Sequence, residues 1–300
     1  MLKLNLQYFA NSITLAKKFV PILDEVYKLA SLTSMLDGAN DLAQQGANAD
    51  ELIIPKMSMQ GLAAYSRNGG YVAGDVTLTN ETVKCNFDRG RKFTVDALDN
   101  EETAGIAFGR LAGEFIRTKV VPELDAFRLA AYAGVSGIST VAGAALADGA
   151  AVLAAISAAV AKMDEDEVPL EDRHLFITPT LMLLVKNLDT TKSREVLARF
   201  SSIKEIPQTR FYTAITQYDG TTSGQETGGF IKNATTGKNI NFMAVHKSAV
   251  IQFQKHVVPK IFTPAENQTS DGWMFQYRNV GIASAYENKV AGIYLHKSTT

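Results

Sequence analysis

The side chains in this sequence that could do chemistry are few, and their spacing fits none of the familiar sites. His246 and His256 can share one face of a strand, but they lack the short ligand spacings of a zinc site and no cysteine pair joins them. Thr236-Gly237-Lys238-Asn239 has the Gly-Lys step of a phosphate-binding loop. Lys232 stands where that loop needs its earlier glycine, however, and Asn239 where it needs a hydroxyl, so the run reads as a turn. No G-x-S-x-G elbow surrounds Ser136 or Ser139. The acidic run 164–167 lacks the central glycine and ordered ligands of a calcium loop and reads as a solvated helix end. Cys85 sits near Lys84 and Arg89 without a readable activating partner, which makes it a structural thiol. These patterns assign no catalytic residue, no metal ligand and no cofactor. An enzyme built around His174, His246 and residues 164–167 is the less favoured alternative.

Charge narrows the partners further. Thirty Lys plus Arg against thirty-one Asp plus Glu give a formal net charge of -1, so no global positive field gathers nucleic acid or an anionic membrane. The one concentrated basic cluster is Arg89, Arg91 and Lys92 around Gly90. Such charges can contact phosphate, but in a strand they more often pair with carboxylates, in the same subunit or a neighbouring one. The Asn-x-Thr triplets at Asn80, Asn233 and Asn267 match glycosylation acceptors. A single cysteine and the absence of a continuous apolar run in residues 1–9 point instead to cytosolic synthesis, and the triplets carry no weight. Residues 141–161 have the length of a membrane span, but they are mostly Ala and Gly around Asp148 and read as a loop followed by a soluble helix.

The elements that would position these residues are easier to read. With 300 residues, 46% hydrophobic and 20% charged, the chain is long enough for one elaborate domain or two and is not disordered. Pro21, Ile22, Val26 and Leu29 mark a helix, and residues 38–50 form a polar linker, so the amino-terminal arm is expected to dock outside its own core. Residues 52–95 are β in character, and the Asn68-Gly69 turn makes them a long hairpin with an irregular tip. Ile53, Ile54, Met57, Met59, Leu62, Tyr65, Tyr71 and Val72 are too many apolar groups for a two-stranded ribbon to leave in water. The hairpin therefore needs a second surface, either its own core or another chain.

Residues 99–134 carry the strongest helical signal, with Asp99 and Glu102 placed for a capping box and Phe108, Leu111, Phe115, Val120, Leu124 and Phe127 recurring along it. Such a helix is roughly 50 Å long. Pro122 inside it removes a donor and clashes with the preceding turn, a defect of about 3 kcal/mol unless the helix bends there. A second helix is expected over 148–163 and a buried strand over 174–177. Thr178 and Pro179 then open a helix to 187 as cap and first position, and the glycine-rich stretch 219–229 is a loop. Strands are expected over 240–245, 249–258, 273–277 and 290–295.

This order resembles the major capsid proteins of tailed bacteriophages, the Hong Kong 97-like fold. The likeness lies in Asp88-Arg89-Gly90-Arg91-Lys92-Phe93-Thr94-Val95-Asp96 leading into Asp99-Asn100-Glu101-Glu102-Thr103, and in Arg173-His174-Leu175-Phe176-Ile177-Thr178-Pro179 before Leu181-Met182. It extends to Asp271-Gly272-Trp273 and to Ala285-Tyr286-Glu287-Asn288-Lys289-Val290-Ala291-Gly292-Ile293-Tyr294. The resemblance implies an α+β fold with an amino-terminal arm (1–50), an extended β-hairpin loop (51–98), a peripheral domain on a spine helix (99–136 and 246–283) and an axial domain (137–245 and 284–300). It implies a virion shell of hexamers and pentamers, assembled in the host bacterial cytoplasm with a separate scaffolding protein and a portal. Packaged DNA is contacted non-specifically, and no membrane or small-molecule substrate is expected. The expected contact residues of the extended loop are Ile53, Ile54, Tyr65, Arg67, Asn68, Gly69, Gly70 and Tyr71, with Pro122 as the bend of the spine. Encapsulin compartments, which enclose cargo enzymes, share the fold and are the nearest alternative.

Overall fold

The structure is a computed structural model that describes residues 31–38, 44–45, 51–98, 106–141, 143 and 145–299. The helix expected around Pro21 to Leu29 and the capping box of Asp99 and Glu102 lie outside the described residues.

Among the described residues, thirteen strands form four sheets. In chain order they are β1 (Gln44–Gln45), β2 (Glu51–Met59), β3 (Val76–Lys84), β4 (Phe87–Asp96), β5 (Ser139–Val141), β6 (Arg173–Ile177) and β7 (Ser202–Glu205). They continue with β8 (Ile215–Gln217), β9 (Phe230–Lys232), β10 (Ile240–His246), β11 (Val250–Phe262), β12 (Gly272–Ala285) and β13 (Ile293–Lys297). The helices are α1 (Ile106–Phe115), α2 (Val121–Ala133), α3 (Gly149–Glu165), α4 (Pro179–Lys186) and α5 (Thr191–Leu197).

The central sheet has the order β5-β13-β10-β6-β7. Both of its faces are covered, so its middle strands are near-continuous apolar runs rather than alternating ones. Leu175, Ile177, Phe242 and Ala244 face α3 and α4, packing with Val152, Ile156, Met163 and Val185. Their strand neighbours Phe176, Met243 and Val245 point the other way, into a cluster with Leu129 and Tyr132 of α2. Asp148 caps α3 by accepting from the Ala151 amide at 2.8 Å. Thr178 holds the N-cap position of α4 but makes no side-chain cap bond there, so Pro179 at the first turn, with its preset backbone, is what starts that helix.

A second sheet, β11-β12-β4, carries the long helix. Phe87, Phe93, Val95, Phe275 and Tyr277 of the sheet pack against Leu111, Phe115, Ile116, Val120 and Leu124 of the helix. The hairpin therefore ends earlier than its β composition implied: β2 and β3 pair with each other from Glu51↔Lys84 to Met59↔Val76, whereas β4 pairs with β12 from Phe87↔Gly281 to Asp96↔Gly272. β4 is the first strand of the body. The linker supplies a short third strand, since Gln44 and Gln45 pair with Ile53 and Leu52.

The long helix is continuous, but it is not α-helical throughout. Residues Ile116–Val120 form a π turn between α1 and α2. The Val121 amide bonds back to the Ile116 carbonyl, five residues earlier, immediately before Pro122. The wider turn there absorbs the proline, which follows it at the start of α2. The hydroxyl of Thr118 donates to the Glu114 carbonyl at 2.7 Å, which also loosens the regular ladder. The arm corrects a further expectation: residues 31–37 do not dock outside the core, because Leu36 is 1% exposed within the cluster of Leu129, Tyr132 and Phe176.

Candidate assembly surfaces

The base of the hairpin is fastened to the body. Ile54 is buried against Ile251 and Ile282, with Leu52, Val83 and Tyr286 around them. Lys56 pairs with Glu287 at 2.6 Å. Ile54 is thus taken up by its own chain and is not available to a neighbour, and Ile53 is half-buried. Burial and the nearby Glu287 raise the pKa of Glu81 at this joint.

Beyond Lys56 the ribbon leaves the body. Eight of the thirteen large exposed hydrophobics among the described residues lie between Met57 and Leu78, with Leu62 and Tyr71 almost fully in solvent. That concentration separates the hairpin from ordinary surface, where such groups are scattered singly. Its tip is well defined. Ser66 and Gly70 exchange backbone bonds at 3.2 and 2.8 Å around Arg67, Asn68 and Gly69, and the Ser66 hydroxyl accepts from the Gly69 amide at 3.1 Å. Gly70 has φ of 74°, a conformation that favours glycine, and it places the rings of Tyr65 and Tyr71 4.9 Å apart. The tip residues predicted from sequence are therefore together, all exposed except the half-buried Gly70.

The basic cluster is divided. Arg89 donates to Glu123 at 2.8 Å and to the Tyr218 and Gly229 carbonyls at 2.7 and 3.4 Å. Gln217 adds a bond to the same Glu123 at 3.2 Å, so Arg89 joins β4, α2 and the β8–β9 hairpin. Arg91 reaches the Glu226 carbonyl at 3.1 Å, and Lys92 is exposed. Between these arginines and the π turn runs a groove of about 870 Å³ lined by Phe93, Leu111, Phe115, Val120, Pro122 and Tyr277 among others. Sequence reading missed this groove because its walls come from β4, the long helix and the 219–229 loop, which only the fold brings together. Asn279, fully buried at its edge, leaves its side-chain oxygen without a partner.

The other candidates are structural. Asn233 accepts from the Thr235 and Thr236 amides, closing the turn before Lys238. Asp164 binds Arg173 at 2.7 Å and also Arg199, which ties the acidic helix end to β6. His174 shares a bond with Ser202 at 2.9 Å and His246 with Ser248 at 2.8 Å, and burial lowers the pKa of both. Among the described residues no three His, Cys, Asp or Glu side chains converge as metal ligands, and no helix is long and apolar enough to cross a membrane.

No family model matches the sequence, and no curated protein matches it. The structure does have relatives in shape. A chain of Mycobacterium phage Che8 matches at TM-score 0.54 and 12% identity, over 87% of this chain and 93% of that one. The capsid of Staphylococcus phage Andhra matches at TM-score 0.53 and 11% identity, over 89% and 86%. The fold is that of phage capsid proteins. A virus-like particle from Pyrococcus furiosus has the same architecture, at TM-score 0.56 and 12% identity over 97% of this chain and 100% of that one. The capsid fold expected from the sequence is therefore present, at identities where only shape is informative.

Proposed function

We propose that this chain is a major capsid protein that self-assembles into the icosahedral head shell around the double-stranded DNA genome of a tailed bacteriophage. The observation that carries the reading is the distal hairpin, whose apolar side chains find no cover in their own subunit. A patch that complements a different surface of the same chain makes head-to-tail contacts, which close into rings and shells. Tyr65, Arg67, Asn68, Gly69, Gly70 and Tyr71 are the contact residues of this clasp.

The division of labour follows the sheets. The peripheral domain is the long helix on β11-β12-β4, the axial domain is the five-stranded sheet with α3, α4 and α5, and the hairpin projects from their junction. Scaffolding protein and portal are partners in assembly, DNA is confined rather than read, and the subunit is not an enzyme. A near-neutral chain is compatible with this, since a motor-filled shell does not need charge to attract its contents.

Size-exclusion chromatography and negative-stain microscopy of the purified protein test the reading: closed particles of tens of nanometres support it, and a small soluble oligomer overturns it. The likeness to the Pyrococcus furiosus particle keeps one second reading, an encapsulin-type compartment. Contents decide between them, with nuclease-protected DNA in particles from infected cells favouring the phage head and a co-purifying enzyme favouring the compartment.

A further inference from the structure

The end of the amino-terminal arm meets a buried charged face on α2. Asp125 is wholly buried, yet its carboxylate is fully engaged. It accepts from the Ser31 hydroxyl at 2.8 Å, the Leu32 amide at 3.0 Å, the Thr33 amide at 3.3 Å and the Thr33 hydroxyl at 2.7 Å. All four donors belong to the arm. One turn along the helix, the buried guanidinium of Arg128 donates to the Thr33 hydroxyl at 3.0 Å and to Asp37 at 3.2 Å. Gln252 of β11 completes the site by donating to the Thr33 carbonyl at 2.8 Å and to Asp37 at 2.6 Å, and is itself held by Tyr132 at 2.6 Å. Leu36 fills the core beneath.

We propose that residues 31–37 are a fold-completing strap, recognised by the Asp125–Arg128 face of α2 as a hydroxyl-x-hydroxyl-x-x-x-carboxylate segment. Residue 30 is then the limit to which the amino terminus can be removed. The reason is electrostatic. Without the strap, Asp125 keeps among the described residues only Arg210, at 3.8 Å, and Arg128 loses Thr33 and Asp37 together. Losing the strap strips both charges of these hydrogen bonds and uncovers the core that Leu36 fills, a penalty that water entering the vacated groove offsets only in part. Any shortening of the arm during assembly therefore has to stop outside the strap. The inference concerns the subunit and does not depend on whether the subunit builds a shell.

The test is a pair of truncations with rescue. A chain of residues 38–300 should melt about 10 °C or more below a chain of residues 31–300, or fail to fold. A synthetic peptide of residues 29–38 should restore the melting temperature of the shorter chain saturably. The same peptide with S31A, T33A and D37N should not. If residues 38–300 melt like residues 31–300, the proposal is wrong. A cycle in the full-length chain decides the matter even if the shorter chain is insoluble: Thr33→Val and Asp125→Asn should each lower the melting temperature, and the double variant should lose clearly less than the sum of the two single losses. Additive losses would mean that the two residues do not act as one site, which overturns the strap.

Discussion

The hairpin strands β2 and β3 and the central strands β6 and β10 are both rich in large apolar side chains, but they end up in opposite surroundings. Leu175, Phe176, Ile177, Phe242 and Met243 are wholly buried, each between the sheet and a covering helix or neighbouring element. On the hairpin only Ile54, at the base, is buried, while Met57, Met59, Val76 and Leu78 stand in solvent. A strand's apolar content therefore says that it will be covered, not by which chain. The central sheet stabilises the subunit, and on the proposed reading the hairpin keeps its apolar surface for contacts between subunits.

The largest effect expected from that contrast is all-or-none. Deleting residues 63–72 should leave a folded, soluble subunit with an unchanged melting temperature and abolish closed particles under the microscope. Normal shells from the deletion variant would collapse the distinction. Paired point variants sharpen it. Phe176→Ala should destabilise the subunit by about 3–5 kcal/mol in denaturant melts, because it opens a cavity in a fully packed core. Tyr71→Ala should change stability by less than about 0.5 kcal/mol yet reduce assembly yield several-fold, since its ring touches chiefly Tyr65 and water.

Acid separates the regions in a third way. His174, His246 and His296 all lie in the central sheet, and burial lowers the pKa of each below the ordinary 6.5. A depressed histidine pKa means that the unfolded chain binds protons more readily than the folded one. Stability is thus fully present above about pH 6.5 and declines as pH falls below it. Thermal melts should show a falling midpoint from about pH 7 to pH 5, and a flat profile over that window would exclude this origin.

A small change in stability is also expected at Pro122. The π turn already accommodates the missing donor, so Pro122→Ala should shift stability by less than about 1 kcal/mol. If the turn is the bend of the spine, the variant should still fold but form precursors of altered curvature, or fail to expand. Ordinary precursor and mature shells would leave the turn as a static fitting.

Much of this architecture was legible in the residues. The phenylalanines of the long helix, the run His174 to Ile177 and the Asn68-Gly69 turn announce their elements because local periodicity and turn chemistry decide them. Residues 87–96 misled, since a strand reads the same whichever partner it takes, and β4 pairs with β12 nearly two hundred positions later. Short strands such as β7, β8 and β9 gave no periodic signal at three or four residues each.

The limits of sequence have the same origin. By itself the sequence determined that the chain folds, that it is α+β, that it carries an apolar hairpin and a proline in its longest helix, and that it has no familiar catalytic spacing. Those properties depend on neighbours within about one or two turns of chain. Only the tertiary structure decided that Arg89 ties β4 to Glu123 and the β8–β9 hairpin, that Asp125 is held by residues 31–33, and that the hairpin's base is buried while its tip is bare. Each is a contact between segments far apart in the chain, and complementary charge or apolar surface at such distances names no partner until the fold has placed the two sides together.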